Sequence, residues 1–222
     1  ADVYRKVRNT ARYLLGNLHD FDPISNIPIE KLPILDRWML HRSAEFLDEI
    51  TLAFEKYEFS RFFQLLQNYC VVDLSSFYLD IAKDRLYVSA PSDFRRRSCQ
   101  STLAFIVENL AVVISPVLCH MAEDIWQNLP YKVEEESVFL RGWPKVPEAW
   151  RNPSLVEHIN SLRDLRSSIN RLLQVCRTKH NLGASLQAAV RFEPSRNSIQ
   201  DAITWLNSEG DSDIDCLRDW LL

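Results

Sequence analysis

Apolar side chains recur at intervals of three and four residues along most of the chain, a spacing that predicts α-helices. The clearest stretch runs from Phe59 to Tyr87, which no Pro or Gly interrupts. Its apolar stripe consists of Phe62, Leu66, Tyr69, Cys70, Phe77, Tyr78 and Ile81. Because each aromatic ring in this stripe buries on the order of 150–250 Å², we expect a central helix that packs against other helices on more than one side. The charged residues near its end, Asp80, Lys83, Asp84 and Arg85, are typical of a solvated helix face.

Further helices are predicted on both sides of this central one. The first ends before Asp22-Pro23, and a second spans residues 35–57. A third follows the break at residues 89–93, where a Ser is available as N-cap, and we expect it to kink or restart at Pro116. Together these elements predict a helical bundle over residues 1–130.

The helical spacing fails between residues 131 and 153, which predicts an irregular connection and a domain boundary. A long helix is expected to begin at Ser154 and to stop at Gly183. Residues 185–192 alternate between apolar and smaller or polar side chains, as a strand does. Short helices are expected over 198–206 and 213–222. The predicted fold class is therefore mainly α, with a small C-terminal α/β appendage at residues 154–222.

The cysteines indicate thiols rather than a metal site or disulfides. The five of them, at positions 70, 99, 119, 176 and 216, are scattered singly, and no CxxC pair supplies the usual ligand spacing of a structural zinc site. Buried, reduced thiols suit a reducing compartment. The longest apolar run, residues 110–119, is about half of the ~20 residues that a membrane helix needs, so we expect no membrane span. The chain begins without Met and directly in an amphipathic pattern, and we expect it to be a fragment of a longer protein.

The charges of the sequence indicate that any binding of RNA would depend on local groups of basic residues. The chain has 26 Lys and Arg against 30 Asp and Glu, a net charge of −4, which argues against a wholly basic coat. The basic residues that could contact RNA phosphates open one helix and populate the helix after the boundary. They are Arg95, Arg96, Arg97, Arg163, Arg166, Arg171, Arg177 and Lys179. A second basic group lies on the first helix and comprises Arg5, Lys6, Arg8 and Arg12. A solvated helix face is the alternative interpretation of each group.

Aromatic side chains could add stacking surfaces for unpaired RNA bases. Trp143, Trp150 and Trp205 are candidates, although a place in the core is the alternative for each of them. The sequence contains no P-loop, GxGxxG, GxSxG or HExxH motif, and its five histidines are not clustered. We expect those histidines at the surface or at helix ends, and we predict no catalytic residue and no metal site.

Five segments in order give the chain a family resemblance. They are VYRKVRNTARYLLGNLHDFDP, LDRWMLHRSAEF, FYLDIAKDRLY, RRRSCQ and PVLCHMAEDIWQNLP. In this order they closely resemble the C-terminal anticodon-binding region of class I isoleucyl-tRNA synthetases of the bacterial and organellar type, over about residues 1–193. The FYLDxxKDRLY element is shared with valyl and leucyl relatives, whereas RNTARYLLGNL and the Gly183-x-Ser185-Leu186-x-Ala188 stretch resemble the isoleucine enzymes.

The resemblance implies a helical bundle that packs on the stem and anticodon loop of tRNA(Ile). It implies a parent enzyme that attaches isoleucine to this tRNA with ATP and Mg, through a catalytic domain of the same polypeptide that carries HIGH and KMSKS motifs. Neither that domain nor the inserted editing domain is present, so we expect the fragment to be inactive alone. The family's C-terminal cysteine cluster for zinc is also absent here. No DNA or membrane partner is implied, and the expected compartment is a bacterial cytoplasm, a chloroplast or a mitochondrion.

Two alternatives stay open at this point. The chain could be the same region of a valyl- or leucyl-tRNA synthetase. Testing which tRNA the chain retards would distinguish this assignment from the isoleucyl one. A helical protein-interaction module with no RNA role would be favoured if Arg163 and Arg166 pair with carboxylates such as Glu157 or Asp164.

Overall fold

The computed structural model describes residues 2–180, 189–193, 197–210 and 215–221, and the side chain of His180 is outside this description. The chain divides into two compact units, Ala1–Arg151 and Asn152–Leu222. No helix within the described ranges combines the length and the apolar character that crossing a membrane requires.

The first unit is a bundle of six α-helices within the described residues, joined by turns and by a π-helical segment. The helices are α1 (Asp2–Gly16), α2 (Ile34–Glu55), α3 (Phe59–Asn68), α4 (Leu79–Tyr87), α5 (Phe94–Ile114) and α6 (Cys119–Gln127). Short 3-10 turns lie at Pro23–Ser25, Ile29–Lys31, Val138–Leu140 and Glu148–Trp150. The predicted helical bundle is confirmed.

The central stretch is continuous but is not a uniform α-helix. Between α3 and α4, residues Tyr69–Tyr78 form a π-helix. Two serine hydroxyls in it donate to carbonyl oxygens five residues earlier, Ser75 to Cys70 at 2.7 Å and Ser76 to Val71 at 2.8 Å. We call Tyr69–Tyr78 the π segment; such wide turns are rare and occur frequently at functional sites.

The aromatic stripe of this stretch forms the core of the first unit, as the spacing predicts. All seven stripe residues are buried. Tyr69 stacks on Phe46 of α2 with ring centroids 3.9 Å apart, and Phe77 meets Trp38 edge to face at 5.0 Å. These contacts hold the central stretch against α2.

The expectation of a solvated charged end is correct for Lys83 and wrong for Arg85. Lys83 is exposed and pairs with Asp80 at 2.8 Å. Arg85 is buried, with its Nη1 3.4 Å from Oδ2 of Asp36, a carboxylate at the start of α2 that is itself fully buried. The other oxygen, Oδ1, accepts a hydrogen bond from the Tyr78 hydroxyl at 2.5 Å. Burial, and then the Asp36 charge, raise the pKa of Tyr78 well above its ordinary value, so this hydroxyl stays protonated and donates.

The structure confirms the predicted helix restart but differs from the sequence predictions for one N-cap and one histidine. The restart predicted at Pro116 is confirmed, because α5 ends at Ile114 and α6 begins at Cys119. The N-cap of α5 is Asp93 rather than a Ser, and its side chain accepts from the Arg95 backbone NH at 2.8 Å. His41, expected at the surface or a helix end, is buried within α2, and burial lowers its pKa.

The second unit contains three helices within its described residues: α7 (Ser154–His180), α8 (Asn197–Glu209) and α9 (Leu217–Leu221). Leu165, Ile169 and Leu173 of α7 form its core with Leu221, and Phe192 and Ile199 are among the side chains that pack on it. The strand predicted over 185–192 is not shown, since residues 189–192 carry no regular secondary structure and 185–188 lie outside the described residues. The helix stop predicted at Gly183 also lies outside them.

Candidate nucleic-acid interface

The three consecutive arginines at the start of α5 are all half-buried, and the partners of two of them are well defined. Arg96 donates from Nη2 to Oδ1 of Asp20 at 2.9 Å and from Nη1 to the backbone oxygen of Leu86. Arg97 donates to the backbone oxygen of Asp20 at 2.7 Å and to Oε1 of Gln100 at 2.8 Å. These contacts tie the start of α5 to the chain that follows α1, which favours a structural role for both guanidinium groups.

Asp20 is the acceptor at the centre of this cluster. Its partial burial raises its pKa, but hydrogen bonds from Arg96 and Gln100 and the two guanidinium charges outweigh that effect and lower the pKa to about 2. The carboxylate is therefore ionised at neutral pH. Arg95 is half-buried and also has an interaction within the protein, so it is not a free cation either.

The candidates on α7 also separate by exposure. Arg166 is buried, and its Nη1 donates to the backbone oxygen of Trp220 at 2.6 Å, a contact that favours a structural role for this residue. Arg163 is half-buried. Arg171, Arg177 and Lys179 are exposed. They lie within about 12 Å along the helix axis, given ~1.5 Å of rise per residue.

The ion pairs of the described residues include neither Arg171 nor Lys179. The last turns of α7 therefore present cationic side chains at 171 and 179 that no described residue of the second unit neutralises. Such groups can reach a phosphate without first breaking an internal salt bridge.

The three tryptophans that the sequence suggests as stacking surfaces differ in their burial and in their contacts. Trp150 is buried in the core of the first unit. Trp143 is at the surface, where its Nε1 donates to the Thr51 hydroxyl at 2.8 Å. In the second unit, Trp205 stacks on the His158 ring with centroids 4.7 Å apart.

A groove that the sequence analysis missed runs along α1. It has a volume of about 440 Å³ and lies between α1 on one side and the π segment and α4 on the other. Lys6, Asn9, Tyr13, Ser75, Lys83 and Tyr87 are among its lining residues. A neighbouring depression shares Asn9, Tyr13 and Tyr87 with it and extends to Arg12 and Gly16. We call the two together the α1 groove; its walls are more than fifty residues apart in sequence, which is why spacing along the chain does not reveal it.

The basic side chains of α1 are only partly neutralised. Arg5 and Lys6 both pair with Asp2, at 3.3 and 2.8 Å. Arg8 and Arg12 are exposed, and neither takes part in an ion pair among the described residues. Within the same residues, no group of three or more His, Cys, Asp or Glu side chains is arranged to hold a metal ion.

Comparisons with known proteins identify the family. A family model described as the anticodon-binding domain of tRNA ligase matches residues 36–192. A protein named isoleucine–tRNA ligase from Prochlorococcus marinus strain MIT 9313 is 67% identical over 100% of this chain and 23% of its own length. A protein of the same name from Synechococcus sp. strain CC9311 is 65% identical over the same shares. The chain thus spans about 23% of the length of the curated relatives it matches. With its helical bundle and with a family model that covers most of its residues, the chain belongs to the anticodon-binding domains of tRNA ligases.

Proposed function

We propose that this chain is the tRNA-binding portion of an isoleucine–tRNA ligase and that it helps to select tRNA(Ile) through its anticodon. The observation that carries the proposal is the similarity along the whole chain, at 65–67% identity, to proteins named isoleucine–tRNA ligase. In this role the attachment of isoleucine, with ATP and Mg, takes place on a catalytic domain of the same polypeptide. The place of such a protein is where translation occurs, in a bacterial cytoplasm or an organelle.

The RNA contacts that we propose are the exposed cations of α7. Arg171, Arg177 and Lys179 can each reach solvent, and neutralising a phosphate releases counterions from the RNA. Arg163 of the same helix is half-buried and is a further candidate, and Arg95 is a separate, half-buried candidate in the first unit. The proposed RNA contacts do not include Arg96, Arg97 or Arg166, because the guanidinium groups of these residues already make the hydrogen bonds within the protein described above.

The test is the salt dependence of tRNA binding. The triple variant Arg171→Gln, Arg177→Gln, Lys179→Gln keeps the helix-forming character of α7 but removes three charges. If all three contact phosphates, the slope of log K against log salt should fall by about 2 to 3, at ~0.7–0.9 per phosphate. Arg61→Gln is the matched control, since Arg61 is exposed on α3 and pairs with Glu58 at 3.2 Å.

The other class of function is a helical interaction module with no RNA role. It would be supported if the triple variant and the unaltered chain bound tRNA(Ile) with the same affinity and the same salt slope. A valyl or leucyl assignment would be supported if tRNA(Val) or tRNA(Leu) displaced tRNA(Ile) from the chain.

A further inference from the structure

We infer that the α1 groove receives an unpaired nucleotide of the bound tRNA, with its phosphate at Arg12 and its base against Tyr87. This inference rests on the proposed function and specifies which chemistry of the RNA one surface recognises. It is distinct from the α7 surface, because all residues of the α1 groove belong to the first unit.

The first argument is charge. Arg8 and Arg12 are four residues apart, so they lie on one face of α1 and repel each other. Two like charges at this spacing destabilise a helix, and no ion pair among the described residues offsets them. Of the two, only Arg12 lines the groove. A phosphate at Arg12 would relieve the repulsion and would bring the RNA backbone to the edge of the groove.

The second argument is the glycine at the end of α1. Gly16 ends the helix on the wall of the groove, and a Cβ added to it would meet no atom within 4 Å. Neither packing against the described residues nor a positive φ therefore requires Gly at this position. Glycine disfavours a helix relative to alanine, and one use of such a residue is the close approach of a ligand to the backbone.

The third argument is an aromatic ring held at the mouth of the groove. Tyr87 is 65% exposed, yet its ring meets Tyr13 edge to face with centroids 6.3 Å apart. The Asn17 side-chain amide also donates to the Tyr87 hydroxyl at 3.5 Å. An exposed ring that is fixed in this way provides a stacking surface with little further loss of side-chain freedom.

The volume of the α1 groove favours the binding of one nucleotide over the binding of a duplex. The main part of the groove, about 440 Å³, is within the ~300–1,000 Å³ typical of pockets for small organic ligands. The exposed amide of Asn9 lies on its lining and can hydrogen-bond to a base edge. Proteins that recognise RNA sequence read bases of this kind, splayed out of single-stranded loops and stacked on aromatic rings.

The decisive variant is Gly16→Leu, which fills the approach to the groove without changing any charge. Because leucine forms helices better than glycine and its Cβ would meet no atom within 4 Å, the melting temperature of the chain should not decrease. Binding of tRNA(Ile) should nonetheless weaken by about five-fold or more, the loss expected for one stacked base. Asn68→Leu is the control, since it adds the same side chain at an exposed position of α3 that does not line the groove.

The identity of the bound group is tested with a fluorescent base. A hairpin with the anticodon stem and loop of tRNA(Ile), carrying 2-aminopurine at successive loop positions, should lose fluorescence at one position when the chain binds. Tyr87→Ala should abolish that quenching, whereas Tyr87→Phe should retain it. A single-stranded oligonucleotide of the loop sequence should compete with the hairpin, and a duplex of the same sequence should not.

The outcomes separate this inference from the proposed function. If the chain binds tRNA(Ile) and the α7 triple variant weakens that binding, but Gly16→Leu and Tyr87→Ala do not, the inference is overturned and the proposed function stands. If the duplex competes as well as the single strand, the groove does not select an unpaired nucleotide. If the unaltered chain binds neither tRNA(Ile) nor the hairpin, both are overturned.

Discussion

Replacing Arg85 with Met tests whether the buried ion pair organises the first unit. The change keeps an unbranched apolar side chain about as long as the aliphatic stem of Arg85 but removes the guanidinium group, and with it the positive charge that faces Asp36. Arg85 is 7% exposed and Asp36 is fully buried, so water cannot take over the role of the lost guanidinium group.

The expected cost follows from that burial. Removing one partner of a buried pair leaves an uncompensated charge and typically costs about 3–5 kcal/mol. We expect the lower end, about 3 kcal/mol, because the Tyr78 hydroxyl still donates to the same carboxylate at 2.5 Å. For a domain of roughly 150 residues this corresponds to a fall in melting temperature of about 6–12 °C, at ~2–4 °C per kcal/mol.

The assay is thermal and urea unfolding of the chain, followed by near-ultraviolet circular dichroism of its buried aromatic rings. Lys83→Met is the matched control, because Lys83 is two residues away on the same helix, is exposed, and pairs only at the surface with Asp80. That variant should change the free energy of unfolding by less than about 0.5 kcal/mol. Equal effects of Arg85→Met and Lys83→Met would refute the reasoning.

Three further predictions follow from buried or paired groups elsewhere in the chain. Asp20→Asn should reduce the free energy of unfolding at pH 7. The pKa of Asp20 in the folded chain is about 2, below its unfolded value of ~3.9, so the difference in unfolding free energy between the variant and the unaltered chain should shrink as the pH falls from about 4 to about 2. A constant difference in urea titrations across this range would contradict the prediction. Thiol alkylation followed by mass spectrometry should label the exposed Cys119 well before Cys70 and Cys99, since burial raises the pKa of both of these thiols to about 12; equal labelling in the folded chain would count against their burial. Arg166→Leu should destabilise the second unit by about 2 kcal/mol through loss of the charged hydrogen bond to Trp220, whereas Arg171→Leu should have little effect, as hydrogen exchange of α7 amides would show.

The sequence predicts the helices of the first unit well because their apolar spacing reports directly which side faces the core. It does not distinguish the π segment from an α-helix. A wider turn changes the backbone hydrogen bonds but leaves the stripe of Tyr69, Cys70, Phe77 and Tyr78 on the buried side. Serine hydroxyls that reach carbonyl oxygens five residues earlier are the local signal, and a serine pair by itself is too common to indicate this geometry.

Charged residues are where reasoning from spacing fails. Lys83 and Arg85 are neighbours in sequence with the same charge, yet one is solvated and the other is buried against a carboxylate 49 residues earlier. Arg96 and Arg97 likewise bind Asp20, 76 and 77 residues away. Whether a basic residue is available to RNA therefore depends on long-range partners, which one sequence does not reveal. The α1 groove was missed for the same reason.

The most direct test of the central claim is a comparison of binding between tRNA(Ile) and the same tRNA with its anticodon bases replaced, at one fixed salt concentration. The charge and length of the two RNAs are equal, so nonspecific phosphate contacts contribute equally to both affinities. If this chain reads the anticodon, the altered tRNA should bind at least about five-fold more weakly, the effect of losing one base contact worth ~1 kcal/mol. Equal affinities would contradict the account.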